Sequence, residues 1–492
     1  MYDAFGLLEK FSLSKYMGSK TKYVDFFTEN NLKKVDLDSF SDKTTLYLRR
    51  FPGPLQDHTV KDVIRDIHVA LLKGRQHRLY AKYQNTYGTQ GMSSNILVPF
   101  LHDGIARDMI ILCHPDDCSR IARNHVRKVP NLVPIMLDSL ISTTNNDHWR
   151  EQRVHLVQSF LPSSLEKTIP TSESRAKKSV SLLNARLQRS NTVDMSDFLL
   201  NETQAQLQLA LFGSEEEFEK RTNKDLRMAF SGLGRKGFVR DFSLDMINKI
   251  QNNTHQGVLS SGLKSSPQTT DTELYGNIIL FAFAGHDTTG HTLTWLIYEL
   301  CKNMKIQGRL YKEVEAFWRD QRNRPIQFSD FERLPFMKKC IFETLRLWPA
   351  VANGTFRQLE YDDHITDDRG IRVLIPKGTY VQISNWHRHR NEGLWGKDVD
   401  IFNPDRNFSA DETWETNFSF INPESPKFSP FTYNPRSCIG KVFANIEMRL
   451  ILLHLIKNFT FLYHDAAIEF NQGTMRPKYG LKVKVVPRHS KL

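Results

Sequence analysis

Hydrophobic residues along this chain recur mostly at the spacing of an α-helix, and few segments alternate as strands do. The longest helical stretch, Leu274–Leu300, contains the nearly all-apolar run Ile278–Ala284, which is typical of a helix inside a core. A second stretch, Lys441–Phe459, also carries apolar residues at helical spacing. Strand-like segments are short and occur at Ile371–Pro376, Tyr380–Ile383 and Gly480–Val486. The pattern predicts a mainly α protein with small β-sheets.

A break at Phe51-Pro-Gly-Pro54 divides the chain, because two prolines and a glycine prevent a helix from continuing there. We therefore expect an N-terminal segment at residues 1–50 and one large domain at residues 51–492. Within the first segment, charges interrupt the apolar residues of Met1–Lys22, which favours a helix packed on its own domain over an amphipathic surface helix. The Ser-, Thr- and Gly-rich stretch Ser260–Thr272 predicts a surface loop.

Composition narrows the class of protein. Of 492 residues, 40% are hydrophobic, which is enough for a sizeable core, and five scattered cysteines indicate a reducing compartment without a disulfide framework. The net charge of +12 includes no dense basic run, so we expect no nucleic-acid partner. An acidic protein or an anionic membrane surface remains open as a partner. No stretch reaches the roughly 18 to 20 apolar residues of a membrane span, so we expect no transmembrane helix.

A loop rich in polar residues and proline presents Cys438 at the start of the second helical stretch. Unpaired backbone N–H groups and the helix dipole at such a position should both lower the pKa of the thiol. Arg436 can donate hydrogen bonds to a carboxylate, and Gly440 lets a flat ligand approach because it has no side chain. A buried structural cysteine is the alternative, and this loop alone leaves both open.

The long apolar helix contains the polar motif Ala284-Gly285-His286-Asp287-Thr288-Thr289. A glycine and two threonines are locally unfavourable inside a helix, and such a local cost indicates a functional site. Ala284 and Gly285 would leave room for a ligand, while Asp287 and Thr288 can supply and position protons. The alternative is a solvent-facing polar patch in which Thr288 bonds to its own helix backbone.

Two further pairs have the spacing of neighbours on a helix. Glu343 and Arg346 are three residues apart, which is usually the mark of a weak pair at the surface. Trp149 and Arg153 are four apart and place an indole donor and a guanidinium on one helix face. Read singly, each of these residues could be an ordinary side chain.

In this order and spacing, the motifs resemble those of the cytochrome P450 family. Phe431, Arg436, Cys438 and Gly440 match its haem-binding signature, in which Asn434 stands where the family usually has glycine. Asparagine tolerates a left-handed backbone better than other non-glycine residues, so the departure is mild. The resemblance extends from about Pro52 to Arg488 and implies a single large domain with the cytochrome P450 fold. That domain would enclose haem between the long central helix and the cysteine loop.

By this resemblance, Cys438 is the ligand of the iron of haem b, and its thiolate promotes O–O cleavage. Thr288 orients water at the bound dioxygen, and Asp287 relays protons. Haem propionates are bound by the pair Trp149 and Arg153, with Arg357 as a further arginine for them. The remaining residues of the cofactor site are Phe431, Arg436 and Gly440. A buried ion triad is formed by Glu343, Arg346 and Arg406.

The implied activity is that of a monooxygenase, which inserts one oxygen atom of dioxygen into a largely hydrophobic small molecule by hydroxylation or epoxidation. Electrons would come from NADPH through a separate flavoprotein or ferredoxin-type partner, since the chain has no flavin or nicotinamide fingerprint. The expected pocket residues are Phe281, Ala284, Val351 and Met475, although each could equally be packing. Two alternatives stay open: a family member that rearranges a peroxide or isomerises its substrate, and a non-catalytic haem protein.

We expect a monomer, located in the cytoplasm or bound peripherally at the endoplasmic reticulum membrane. The sequence leaves open which of these two locations applies.

Overall fold

A computed structural model of the protein describes residues 51–88, 94–102, 105–230, 235, 237–265, 270–321, 324–408 and 425–488. The predicted N-terminal segment at residues 1–50 lies outside these ranges, so its helix stays a prediction. None of the helices within them combines the length and the apolar character that crossing a membrane requires.

The first half of the described chain is mostly helical. Its α-helices are α1 (Val60–Leu72), α2 (Gln76–Tyr87), α3 (Pro115–Asn124), α4 (Val133–Met136), α5 (Asn146–Val157), α6 (Pro162–Glu166), α7 (Ile169–Leu187), α8 (Met195–Gln206), α9 (Glu216–Phe230), α10 (Phe238–Gln251) and α11 (Val258–Lys264). Helix α8 continues directly into a π-helical turn, Leu207–Leu211. Short 3₁₀ helices occur at Pro54–Gln56 and Gln158–Phe160.

The second half contains the longest helix and the helix that follows the cysteine loop. Its α-helices are α12 (Asp271–Lys302), α13 (Met304–Gln321), α14 (Pro335–Leu347), α15 (Asn385–His389), α16 (Glu392–Trp395) and α17 (Lys441–Asn458). A 3₁₀ helix lies at Phe328–Arg333.

The strands form small sheets. They are β1 (Ile96–His102), β2 (Ile105–Leu112), β3 (Thr192–Asp194), β4 (Thr355–Gln358), β5 (Asp363–Thr366), β6 (Arg372–Ile375), β7 (Tyr380–Ile383), β8 (Phe459–Tyr463), β9 (Glu469–Gln472), β10 (Thr474–Pro477) and β11 (Lys482–Pro487). The largest sheet has the order β1-β2-β7-β4, in which β2 and β7 run parallel and β4 is antiparallel to β7. The others are β3-β11-β8, β9-β10 and β5-β6. The prediction of a mainly α protein with small sheets is confirmed.

Helix α12 runs through the core, because apolar residues occur around most of its circumference. It begins where the hydroxyl of Thr270 accepts a hydrogen bond from the Glu273 N–H at 3.1 Å, a regular N-cap. Helices α8, α10, α14 and α17 pack against it, as does strand β10. These neighbours place the polar motif of α12 in the interior.

The predicted surface loop Ser260–Thr272 is wrong in two places. Residues Val258–Lys264 form α11, with Leu259 and Leu263 buried four residues apart, and α12 already begins at Asp271. Small polar residues fit this helix because their hydroxyls bond to carbonyl groups: Ser260 donates to Phe212 O at 2.7 Å. The stretch 266–269 lies outside the described residues.

Candidate functional site

The loop before α17 holds Cys438 in an exposed position. The Cys438 N–H donates to the Phe431 carbonyl at 2.9 Å, and Gly440 is the N-cap of α17. Cys438 is exposed, whereas the other four cysteines of the chain are buried. The left-handed residue of the loop is Thr432, with φ of 61°, and not Asn434, so that part of the sequence interpretation is corrected.

The pKa of the Cys438 thiol is raised, which corrects the expectation that the loop would lower it. Burial among surrounding protein atoms is the largest cause, even though the residue has exposed surface. Both observations fit a thiol at the wall of an internal space. The expected lowering effects are present but smaller: the N–H groups of Gly440 and Lys441 and the positive charges of Arg153 and Lys441. A metal ion deprotonates a coordinating thiol outright, and this would reverse the balance.

Two arginines predicted for the cofactor site are buried close together. The Arg436 guanidinium carbon lies 4.4 Å from the centroid of the Trp149 ring, and its Nη2 donates to Thr143 O at 3.2 Å. Arg357 has no exposed surface and donates from Nη1 to Thr355 Oγ1 at 2.8 Å. The Nε and Nη2 groups of Arg357 and the Nε of Arg436 have no hydrogen-bond partner. Buried donors of this kind require an acceptor.

The electrostatics of this cluster point to an anionic ligand. Burial, followed by the charges of Arg357 and Arg153, lowers the pKa of Arg436 to about 9. Burial also lowers the pKa of Arg357 to about 10. The carboxylate of Glu360 opposes both shifts, but its oxygens already accept from Val126 N–H at 2.6 Å, from Arg127 N–H and from the Asn146 amide. Carboxylates of a ligand, such as haem propionates, would supply the missing charge.

Lys128 belongs to this cluster, although sequence reasoning missed it. Its ammonium group donates to Thr355 Oγ1 at 2.5 Å, the same hydroxyl that Arg357 contacts. Burial lowers the pKa of Lys128 well below its ordinary value, and the charges of Arg357 and Arg436 lower it further. A lysine in a polar loop has no distinguishing sequence signal, because its place depends on the packing of strand β4 beside that loop.

Helix α5 brings the predicted Trp149–Arg153 pair to the cysteine loop. Trp149 is buried, with the Arg153 guanidinium carbon 6.0 Å from its ring centroid. The Nη2 group of Arg153 donates to Ser437 Oγ at 3.4 Å, next to Cys438 in the chain. The structure thus gathers both residues beside the loop.

Asp287 is buried on α12 and bonded to a residue from a distant strand. Its Oδ2 accepts a hydrogen bond from the Thr474 hydroxyl of β10, and its Oδ1 lies 3.5 Å from His291 Nε2. Burial by itself would raise the pKa of Asp287, but the charge and hydrogen bond of His291 and the bond from Thr474 bring it below the ordinary value. The carboxylate is therefore held ionised and fixed in orientation.

The other members of the α12 motif divide between two faces. Thr288 is partly buried and donates to Ala284 O at 2.9 Å, the local bond that the sequence left open. Gly285 does not leave room for a ligand as expected: a Cβ there would lie 2.6 Å from Leu207 Cδ1, so it accommodates the π-helical turn. His286 bonds through Nδ1 to Ala282 O at 2.8 Å and stacks on Phe230.

The predicted pocket residues differ in their surroundings. Phe281 stacks on Phe160 with ring centroids 5.7 Å apart, and a Cβ added to Gly440 would meet only Phe160, at 3.8 Å. Phe160 therefore lies between α12 and the cysteine loop. The space next to Gly440 is otherwise open. Val351 and Ala284 are partly exposed. Met475 is fully buried in a cluster with Trp295, Ala352 and Trp386, which is the packing role the sequence also allowed.

Glu343 and Arg346 form a fully buried ion pair, so the surface alternative is wrong. Arg346 donates from Nη2 to Glu343 Oε1 at 2.7 Å and from Nε to Oε2 at 2.8 Å. Arg406 adds a bond from its Nε to Glu343 Oε1 at 3.2 Å. The structure therefore brings all three predicted residues together. The remaining donors of Arg346 bond to backbone carbonyls, including His389 O. Arg406 also pairs with the carboxylate of Asp398, with its Nη1 3.0 Å from Oδ1. These contacts are those expected of a structural role.

The residues present fit a haem whose iron is held by a thiolate. Cys438 is exposed, and a cation cluster with unsatisfied buried donors lies beside its loop. A flat ligand would find no side chain at Gly440. These features are those of a haem-thiolate site.

Comparisons with known proteins agree with this class. The family model described as cytochrome P450 matches residues 235–485, about half of the chain. The chain belongs to the cytochrome P450 family. A crystal structure of a cytochrome P450 (CYP102L1) superposes with a TM-score of 0.67 at 19% identity, covering 81% of this chain and 92% of that one. This likeness confirms the predicted fold.

The sequence relatives include cytochrome P450 4F3 of Rattus norvegicus, 36% identical over 220 residues, which are 44% of this chain and 39% of that protein. Cytochrome P450 4F8 of Homo sapiens is 26% identical over 440 residues, 77% of this chain and 81% of that protein. The cytochrome P450 monooxygenase sphH of Aspergillus fumigatus is 34% identical over 44% of this chain and 39% of that protein. The chain thus aligns with about two fifths of the length of the rat and fungal relatives.

Proposed function

We propose that this protein is a haem-thiolate monooxygenase that inserts one atom of dioxygen into a largely hydrophobic small molecule by hydroxylation or epoxidation. The observation that carries the proposal is the arrangement of an open cysteine beside a buried cation cluster, linked through Phe160 to a helix with a fixed carboxylate and hydroxyl. A relative whose name contains the word monooxygenase supports the same reaction type.

In this proposal, Cys438 ligates the iron of haem b, and Arg153, Arg357, Arg436 and Lys128 neutralise its propionates. Haem with a thiolate ligand supplies the activation of dioxygen. The unsatisfied N–H groups of Arg357 and Arg436 orient the cofactor, because each is fixed by packing before the ligand arrives. Phe431 fixes the loop through its carbonyl, which accepts the Cys438 N–H.

Asp287 and Thr288 of α12 would hold and move protons in this proposal. Because His291 and Thr474 keep the pKa of Asp287 low, its carboxylate accepts a proton only transiently and passes it on. The Thr288 hydroxyl, bonded to Ala284 O, keeps its own oxygen as an acceptor for water. Positioned groups of this kind typically contribute on the order of 10²- to 10⁴-fold in rate.

The substrate would lie against Phe281, Ala284 and Val351, whose apolar surfaces favour a hydrophobic small molecule.

Electrons would come from NADPH through a flavoprotein or ferredoxin-type partner. An acidic face of that partner would dock beside the loop and α5, where Arg150 is exposed but already pairs with Asp147 at 2.5 Å. Because salt screens the attraction between exposed charges, raising the salt concentration would weaken reductase-driven turnover.

The test is turnover of the haem-loaded protein with a reductase and a panel of apolar compounds. We expect NADPH consumption and dioxygen uptake coupled to a product that contains one oxygen atom from dioxygen. Product formed from a peroxide without NADPH, and unchanged in Thr288→Ala, would favour the rearrangement alternative. Ligand binding without any product would favour the non-catalytic haem protein.

A further inference from the structure

Four aromatic rings lie next to one another between the middle of the protein and its surface. Trp295 and Tyr298 belong to α12, and Trp348 follows α14. Tyr463 is the last residue of β8. The Trp295 and Trp348 rings stack with their centroids 4.0 Å apart and an angle of 6° between their planes. The Tyr298 centroid lies 5.6 Å from that of Trp295 and 6.4 Å from that of Trp348. The Tyr463 centroid lies 6.3 Å from that of Tyr298. These four rings form a continuous series, here called the ring path.

The inner end of the ring path is joined to residues of the candidate site. Trp295 has no exposed surface, and its Nε1 donates to Met475 O at 3.1 Å. Met475 follows Thr474, whose hydroxyl bonds to Asp287. Trp295 also lies about two turns after Thr288 on the same helix, which is roughly 10 Å along its axis. The ring path therefore begins beside the segment that handles protons in the proposed function.

The outer end of the ring path is at the surface. Tyr463 is 48% exposed, whereas Trp295 is fully buried. Water can accept the proton of an exposed phenol when the phenol loses an electron, and a dissolved reductant can approach the ring. The ring path thus joins the interior to a position that small molecules in water can reach.

The charged groups beside the ring path favour positive charge on the tryptophan pair. Trp348 Nε1 donates to Glu299 Oε1 at 3.0 Å, and Glu299 is buried. A carboxylate that accepts the indole N–H stabilises positive charge on the indole, because opposite charges attract more strongly away from water. Lys302, which lies 3.3 Å from Glu299 Oε2, is also 4.9 Å from the Tyr298 centroid and disfavours positive charge there. An electron vacancy is therefore more stable on the tryptophan pair, or on Tyr463 after its proton has left.

We propose that the ring path conducts single electrons from Tyr463 to the haem site, and that Tyr463 is a surface site at which small water-soluble one-electron donors are oxidised by a hydroperoxide. The inference rests on the haem-thiolate site of the function proposed above. It adds a second activity, in which the donor does not enter the apolar pocket. Phenols and ascorbate are donors of this class.

Electrons and protons balance in this reaction. The O–O bond of the hydroperoxide breaks at the haem site and takes up two electrons and two protons, which gives two water molecules when the oxidant is hydrogen peroxide. Each electron leaves Tyr463, whose O–H bond breaks as its proton passes to solvent. One donor molecule then returns an electron and a proton to the Tyr463 oxygen. Two donor molecules are therefore oxidised for each hydroperoxide.

Packing is the alternative role for these rings, because aromatic side chains stabilise cores and prefer stacked or edge-to-face contacts. Packing depends on the shape of a ring and not on the ease with which the ring is oxidised. Phenylalanine keeps most of the shape of tyrosine but is far harder to oxidise. Tyr298→Phe and Tyr463→Phe therefore separate the two roles.

The first experiment uses electron paramagnetic resonance on the full chain, loaded with haem and frozen shortly after mixing with hydrogen peroxide. We expect a tyrosyl radical in the wild type that disappears in Tyr463→Phe. In Tyr298→Phe, a tryptophanyl signal from the inner pair should replace it. The control Tyr479→Phe changes another exposed tyrosine and should leave the tyrosyl signal intact. A tyrosyl signal that survives both substitutions, or the absence of a protein radical although the haem reacts with peroxide, overturns the proposal.

The second experiment measures the peroxide-dependent oxidation of ferrocyanide, whose charge keeps it out of an apolar pocket. Tyr463→Phe and Tyr298→Phe should each lower the rate several-fold, and Tyr479→Phe should match the wild type. Equal rates in all four proteins would contradict the surface site. Reductase-driven oxygen insertion into an apolar compound is measured on the same proteins. Its absence from the wild type would contradict the proposed monooxygenase, whereas the position of the radical decides the ring path.

Discussion

The hydroxyl of Thr474 donates a hydrogen bond to the carboxylate of Asp287, although 187 residues separate the two in the chain. The contact joins strand β10 to α12. It explains how a carboxylate inside an apolar helix remains ionised, together with His291 one turn further along α12. The orientation of the proposed proton relay thus depends on a distant strand.

Removing that hydroxyl should impair proton delivery without emptying the site. Thr474→Val keeps the shape of the side chain but removes the donor, so the pKa of Asp287 rises and its carboxylate can rotate. We expect product per NADPH to fall about tenfold, which is less than the roughly 10²- to 10⁴-fold contribution of a positioned acid or base because Asp287 itself and its contact with His291 remain. The measurement is coupled turnover beside a control, Thr460→Val on strand β8. Equal amounts of product per NADPH in Thr474→Val and Thr460→Val would show that Thr474 does not orient Asp287.

The buried arginines should have opposite effects on the haem-free and haem-bound protein. Arg357→Met removes an incompletely satisfied buried cation, so the haem-free chain should gain about 1–3 kcal/mol of unfolding free energy. The same substitution removes a donor to the propionates, so haem should dissociate faster. Denaturant unfolding and haem transfer measure the two effects. Arg372→Met, at an exposed position of β6, is the control. Loss of stability in the haem-free Arg357→Met protein would contradict the anion-site interpretation.

The buried ion triad should be a major source of stability. Glu343→Gln leaves Arg346 and Arg406 without their shared carboxylate, and breaking a buried pair from one side typically costs about 3–5 kcal/mol. Chemical unfolding with haem bound measures this loss. Glu332→Gln alters an exposed glutamate and should stay within about 0.5 kcal/mol of the wild type. A comparably small effect of Glu343→Gln would remove the structural role.

Glu202 of α8, a buried glutamate whose two oxygens lie 3.2 and 3.1 Å from Arg175 Nε, should leave a signature in the pH dependence of stability. Folding raises the pKa of Glu202 from 4.5 to about 7, so the folded chain binds more protons than the unfolded chain in this interval. The favourable contribution of Glu202 is therefore fully present below pH 4.5 and is lost as the pH rises towards about 7. Glu202→Gln should flatten the fall in unfolding free energy across that interval, measured by urea titration at several pH values. The control Glu217→Gln alters an exposed glutamate of α9. A slope in Glu202→Gln identical to the slopes of the wild type and of this control would contradict the raised pKa of Glu202.

Much of the fold and site could be predicted because the informative residues are close together in sequence. The apolar run of α12 predicts a buried helix, and the spacing from Phe431 to Gly440 predicts a cysteine at a helix start. Arg357 was predicted as a propionate-binding residue only from its position in the chain, and the structure places it, fully buried, in the cation cluster. Local patterns predict local geometry well.

The sequence could not show which residues from distant segments become neighbours in the fold. Neither Lys128 nor Thr474 has a local signal, because their surroundings are built by β4 and α12. Gly285 was misread because a glycine makes room equally for a ligand or for a packed helix, and the π-helical turn occupies that room. The loop predicted over α11 failed because serine hydroxyls can bond within a helix as readily as in a turn.

The absorption spectrum of the reduced, carbon monoxide-bound protein tests the central claim, that Cys438 is the thiolate ligand of a haem. We predict the red-shifted band of a thiolate-ligated haem in the wild type and in Cys301→Ser, and its complete loss in Cys438→Ser. The total haem content of each protein is measured alongside. Retention of that band in Cys438→Ser, or its absence from haem-loaded wild-type protein, would contradict the account.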